Sequence, residues 1–298
     1  MGVVSLRNVH KKIGKKEIIR DLSFEVQEGE VYGFLGPNGS GKTTTIRMIT
    51  GLISMTAGDI EINGHSIRTE REKALAHIGA IVENPELYEY MTGMQNLKHF
   101  ANMAATAIGS ARIQEIVELV DLADAIHKKV KTYSLGMKQR LGIAQALLHR
   151  PKVLILDEPT NGLDPAGIRQ LRDYLQHLAK EEGIAVLVSS HLLSEIELMC
   201  DRVVIIQNGQ FVREYSLKQQ QDEQGAVSVL FEADPAVRAR DILNGELQGN
   251  TVLVTAVREE IPELVKQLIL NEVRVYGVGV QNKSLEEEFL TLIEGAKA

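Results

Sequence analysis

Gly36-Pro37-Asn38-Gly39-Ser40-Gly41-Lys42-Thr43, with Thr44 behind it, has the spacing of a loop that cradles phosphate. Its glycines permit backbone conformations that turn successive N–H groups toward one anion. Lys42 supplies a cation for the β- and γ-phosphates of a nucleoside triphosphate, and Thr43 a hydroxyl for Mg2+. Far downstream, Asp157 and Glu158 close the apolar run Leu154-Ile155-Leu156. Asp157 is placed to hold Mg2+ through its water shell. Glu158 is placed to orient or deprotonate a water that attacks the γ-phosphate. His191, after Val188-Ser189-Ser190, offers an imidazole to the same phosphate. The second acid favours hydrolysis over transfer to another acceptor. The guanine-reading pattern Asn-Lys-x-Asp is absent, since Asn282-Lys283-Ser284-Leu285 lacks the acid, so ATP is expected rather than GTP.

For these groups to meet, strands and helices must deliver them to one edge. Val31 to Leu35 reads as a buried strand before the loop. Ile46, Met48 and Ile49 predict a helix after it, over Thr44 to Gly51, whose N-terminus adds its dipole to the anion site. Val153 to Leu156 is an unbroken apolar run, as in a parallel strand buried on both faces. Ala185 to Val188 predicts a strand beside it, so that His191 falls at the same carboxyl edge. Asp164-Pro165 predicts a helix start, with Ile168, Leu171, Leu175 and Leu178 as its inward stripe. From about 92 to 150 the pattern is helical: Thr92 to Gln95 has capping-box form, and Ser134 opens a helix that runs to Pro151.

The remaining pattern is lighter. Stretches 3–9 and 22–27 alternate and predict half-buried antiparallel strands. Ala57-Gly58-Asp59 reads as a turn into Ile60 to Ile62, Asn63-Gly64 as a hairpin turn, and Ile78 to Val82 as a short strand. Val203 to Tyr215 reads as a hairpin about Asn208-Gly209. Residues 217–225 read as a linker. Beyond it, strand-like 226–232, 251–256 and 273–280 alternate with helix-like 235–243, 260–270 and 284–294, a small α/β domain over 226–298 without a phosphate motif.

The chain has 298 residues, of which 44% are hydrophobic and 24% charged, enough for a large core and two domains. A formal net charge of −7, with no massed basic stretch, argues against nucleic-acid binding. The single cysteine, Cys200, excludes an internal disulfide and a multi-cysteine metal site; a buried structural thiol is its expected state. No apolar stretch approaches the length needed to span a bilayer, and the N-terminus lacks a signal-peptide plan. A cytoplasmic location is expected, with any membrane role carried by a partner.

The ordered series resembles the ATP-binding-cassette (ABC) ATPases over about residues 3 to 216. It runs from the phosphate loop through a helical insert bearing Tyr133-Ser134-Leu135-Gly136-Met137-Lys138-Gln139-Arg140 to the acidic strand. Asn161-Gly162-Leu163-Asp164 follows as a D-loop, then His191 as a switch. The resemblance implies a P-loop NTPase cassette over 1–216, with a mixed parallel core sheet, an antiparallel N-terminal sheet and a helical insert. It also implies ATP and Mg2+, and a head-to-tail homodimer in which Ser134 and the backbone of Gly136 complete the partner's site beside Asp164. An integral membrane permease would hold the chain at the inner face of the cell membrane. Three departures stand out: Leu135 and Met137 replace a glycine and glutamine of the signature, Glu83 replaces a glutamine that links Mg2+ to the permease and is a candidate Mg2+ ligand with Thr43 and Asp157, and Ile13 replaces an aromatic that stacks on adenine, leaving an apolar contact to the base. Ile13, Glu83 to Tyr88, the signature and the C-terminal extension are similar to ATPases of bacitracin- and lantibiotic-type exporters. Tyr88 is then the expected dock for the permease. An exporter of lipid, polysaccharide or sodium, or a regulatory cassette that does not hydrolyse ATP, is the alternative.

Overall fold

The computed structural model describes residues 2–217 and 227–281. The chain divides into two compact units, Met1–Lys218 and Gln219–Ala298. The expected linker (apart from Leu217), the helix over 284–294 and Asn282-Lys283-Ser284-Leu285 lie outside the described residues.

In the first unit, β1 (Val4–Ile13) and β2 (Lys16–Val26) form an antiparallel hairpin, extended by β4 (Ala57–Ile62) and β5 (His65–Ser66) in the order β2-β1-β4-β5. The hairpin is longer than the alternation predicts. Its outer half, with Lys11, Lys12, Lys16 and Glu17, has no buried face for a pattern to betray, and backbone pairing carries it to Ile13 opposite Lys16. Ala57 to Asp59 is strand, not turn. Gly58, at φ +84°, lies where an added Cβ would meet Asn8 O at 2.2 Å, so this glycine marks a close backbone approach within a ladder.

The second sheet is mixed, in the order β10-β9-β3-β8-β7-β6. Its members are β3 (Val31–Leu35), β6 (Ile78–Ile81), β7 (Val153–Asp157), β8 (Ala185–Ser190), β9 (Arg202–Gln207) and β10 (Gln210–Ser216). All pairs are parallel except β10 on β9. Every residue of β3, β7 and β8 is buried, which is why these strands read as continuous apolar runs. Helices α1 (Lys42–Ile49), α6 (Pro165–Lys180) and α7 (Leu193–Met199) belong to this core. Cys200 is buried against β3, where burial pushes its thiol far above the usual range and makes it inert.

A short α2 (Arg71–Leu75) precedes β6, and between β6 and β7 lie α3 (Gly93–Met103), α4 (Ser110–Leu119) and α5 (Leu135–Leu147). Thr92 and Gln95 close a full capping box on α3. The second unit is an antiparallel sheet, β12 (Glu246–Gln248), β13 (Thr251–Ala256), β11 (Val227–Asp234) and β14 (Arg274–Gln281), in that order. Helices α8 (Ala236–Leu243) and α9 (Ile261–Leu270) pack on it, Ala239 of α8 and Leu268 of α9 sharing one core with Phe231 and Val252 of the sheet. The three-residue β12 has no apolar alternation and leaves no trace in the sequence.

Candidate active site

The phosphate loop spans the turn from β3 into α1. Gly41 is the N-cap of α1 at φ +108°, a conformation open to glycine alone without strain. It offers no side chain to cap the helix, and the first turn carries no acid. The leading N–H groups of α1 are therefore left for an outside anion. Ser40 Oγ is buried and has no hydrogen-bond partner among the described residues, a second polar group that a phosphate would satisfy. Pro37 is half-buried, Asn38 and Gly39 are exposed, and Thr43 and Thr44 are half-buried on the first turn. Lys42 is 6% exposed, its Nζ donating to Gly36 O at 2.7 Å.

The other half of the site stands at the carboxyl ends of β7 and β8, where parallel pairing aligns Asp157 with Ser189. The Ser189 hydroxyl donates to Asp157 Oδ1 at 2.6 Å and accepts from the Glu158 N–H at 2.9 Å. Asp157 is buried, with one oxygen so engaged. Glu158 leaves the strand at φ +50°, a left-handed conformation that costs a non-glycine residue about 1–3 kcal/mol and persists where the surroundings impose it. Its Oε1 lies 3.3 Å from Lys42 Nζ, and its Oε2 lies 2.7 Å from His191 Nδ1. Three separate elements thus bring Lys42, Glu158 and His191 into one chain of charged contacts.

Thr43 and Asp157 offer only hard oxygens. Among the described residues, no group of three His, Cys, Asp or Glu side chains is placed to hold a metal alone. A hydroxyl and a carboxylate beside a phosphate cradle fit Mg2+, which keeps waters and phosphate oxygens rather than taking a full protein cage. Glu83, at φ +69°, pairs with Arg47 of α1. Arg47 lies one turn beyond Thr43 on the same helix face, so the Glu83 carboxylate is engaged there with a guanidinium. Val82 and Asn84 on either side of Glu83 line a groove of about 380 Å³, closed opposite by Gly142 and Gln145 of α5. Nearby, Tyr88 rests edge-on against His99, ring centroids 5.0 Å apart, and Tyr90 is exposed beside it.

Ser134 caps α5, its Oγ accepting from Met137 N at 3.3 Å, and Asp164 caps α6, its Oδ1 accepting from Gly167 N at 2.7 Å. Among the described residues, no hydrogen bond or ion pair joins Ser134 or Gly136 to Lys42, Glu158 or His191. Ile13 stands at the tip of β1, 56% exposed. Sequence reasoning missed Ser189 and Arg47. A hydroxyl one strand away from an acid pair, and a cation a loop away from Glu83, leave no local spacing to find.

A glycine loop feeding a helix, with an acid pair and a histidine at the ends of neighbouring parallel strands, defines a P-loop nucleoside triphosphatase. The family model for ABC transporters matches residues 19–161. The uncharacterized ABC transporter ATP-binding protein YhcH of Bacillus subtilis is 52% identical over 293 residues, covering 97% of this chain and 95% of that protein. The bacitracin transport ATP-binding protein BcrA of Bacillus licheniformis is 40% identical over 305 residues, 98% of each. Among solved structures, a dimeric ATP-binding cassette in a post-hydrolysis state bound to ADP and Pi superposes with a TM-score of 0.63 at 26% identity, covering 72% of this chain and 98% of that one. The chain belongs to the ABC transporter family. It is an ATP-binding subunit with ATPase activity, and no described helix is long and apolar enough to cross a membrane.

Proposed function

We propose that this subunit powers export of an antimicrobial peptide, as the name of its bacitracin-transport relative suggests. Two copies close head to tail on two ATP molecules, and hydrolysis reopens them. The observation that carries the reading is the chain of contacts from Lys42 through Glu158 to His191. In it Glu158 is the general base for water, His191 a donor to the γ-phosphate and Lys42 the cation for the β- and γ-phosphates. The backbone of residues 36–44 cradles the phosphates, and Ile13 gives adenine an apolar contact. Thr43 and Asp157 hold Mg2+, which supplies positive charge to the triphosphate when bound. Ser134, Gly136 and Asp164 serve the nucleotide held by the second copy.

The groove lined by Val82, Asn84, Pro85 and Glu86, with Tyr88 two residues further along the chain, receives the membrane permease, which keeps the subunit at the inner face of the cell membrane. Glu83, between groove and phosphate loop, then couples the two. Co-purification with its membrane permease, followed by a resistance assay across peptide antibiotics, tests the substrate. Resistance that disappears with Glu158→Gln supports the proposal. Unchanged sensitivity to every peptide, with ATPase intact, rejects it.

A further inference from the structure

We propose that Glu195 is a positioning residue for ATP hydrolysis, holding the backbone segments that carry Glu158 and His191 in register. This rests on the reading that those two residues carry the reaction. Glu195 lies on α7, and a single one of its oxygens, Oε2, accepts two hydrogen bonds. Thr160 Oγ1 donates at 2.6 Å and Ser190 Oγ at 3.0 Å. Thr160 stands two residues after Glu158, and Ser190 one residue before His191. Thr160 is 3% exposed and Ser190 0%, so water does not compete for either hydroxyl. Ser190 Oγ also accepts from Leu192 N at 3.0 Å, fastening the turn around His191 on both sides.

Hydroxyl bonds to a carboxylate are charge-assisted, shorter and about twice as strong as neutral ones, and burial strengthens them further. The oxygen of Glu195 therefore brackets the ends of β7 and β8 together. The contact of 2.7 Å between His191 and Glu158 lies across that bracket. Ser189 fixes the Asp157 carboxylate and the Glu158 N–H from the strand side, and Glu195 fixes the segments beyond them. Loss of the bracket lets the imidazole and the carboxylate drift apart without disturbing the phosphate loop. Misplacement of that kind lowers the rate of the chemical step rather than substrate affinity.

Because both bonds converge on one oxygen, an amide oxygen in its place can accept both, whereas the thioether of methionine replaces neither. Phosphate release by the full chain, with ATP affinity and thermal stability measured in parallel, reads the difference. Glu195→Met should lower kcat about tenfold with KM and ATP affinity nearly unchanged, and Glu195→Gln should stay within about threefold of the parent. Thr160→Val should lower kcat too, and add nothing to Glu195→Met, since the two remove one shared contact. An unchanged kcat in folded Glu195→Met, an equal loss in Glu195→Gln, or additive losses with Thr160→Val would each overturn the proposal. If Glu195→Met does not fold, Thr160→Val and Ser190→Ala against Glu195→Gln decide by the same criteria. Full turnover by Glu158→Gln in the same assay would overturn the underlying reading and the bracket with it. Its loss alongside normal Glu195→Met overturns the bracket alone.

Discussion

His191 Nδ1 lies 2.7 Å from Glu158 Oε2, although 33 positions separate the two in the chain. An ionised carboxylate only accepts, so Nδ1 donates to it, and Nε2 can donate to a phosphate oxygen only in the imidazolium, which carries a hydrogen on both ring nitrogens. The other oxygen of Glu158 faces Lys42 Nζ at 3.3 Å. Both lone-pair faces of the proposed base are thus occupied by donors. Nucleotide that draws Lys42 onto its phosphates would free one of them for water.

If Lys42 binds the β- and γ-phosphates as proposed, Lys42→Ala removes a charge-assisted contact of about 1.5–3 kcal/mol, and ATP affinity should fall roughly tenfold or more. Titration with a fluorescent ATP analogue measures it. An unchanged dissociation constant would reject the role.

At Gly136 an added Cβ would meet only Leu163 Cδ2 at 3.8 Å, so the fold itself leaves room for alanine. Gly136→Ala should hold or raise thermal stability, by up to about 1 kcal/mol, because alanine is the better helix former. If the glycine serves the second copy's nucleotide, the same variant should weaken ATP-driven dimerisation seen by light scattering. Normal dimerisation would mean that the glycine has no such role.

The pair of Arg47 and Glu83 is exposed on both sides, 44% and 58%, and such pairs contribute about 0–1 kcal/mol after screening. Glu83→Gln should therefore leave the melting temperature and basal ATPase nearly unchanged while altering stimulation by the permease. A sharp rise in the Mg2+ concentration needed for activity would instead make Glu83 chiefly a metal ligand.

His149 Nε2 lies 2.9 Å from Ile78 O, and since a carbonyl only accepts, Nε2 carries the hydrogen. Burial holds this imidazole below the usual histidine range, and burial with the nearby charges of His65 and Lys152 does the same to His77. Below the unfolded value of about 6.5, the unfolded chain binds more protons than the folded one. Their contribution is intact above that pH and is lost as pH falls toward the depressed folded values. Urea midpoints should drop between about pH 7 and pH 5.5, and His149→Gln, which keeps a donor for Ile78, should flatten the drop. An equal drop in the variant would assign it to other groups.

Much of the site was legible because it is written in local spacing. The strand, glycine loop and helix are consecutive, Ser134, Asp164 and Thr92 cap their helices through bonds to the third residue on, and β7 and β8 are apolar throughout. Gly58 misled because a glycine followed by an acid is turn chemistry, yet the pairing of Arg7 with Asp59 holds it in a ladder. The partners of Glu83 and Glu195 were out of reach for a different reason. Arg47 is 36 positions from Glu83 and Thr160 is 35 from Glu195, distances that only the folded sheet closes.

Steady-state phosphate release by Glu158→Gln at saturating Mg-ATP, with ATP affinity measured on the same sample, bears most directly on the claim that Glu158 is the base. Turnover should fall by roughly 10²–10⁴ while affinity stays at the parent value. Hydrolysis near the parent rate by a variant that binds ATP normally would contradict it.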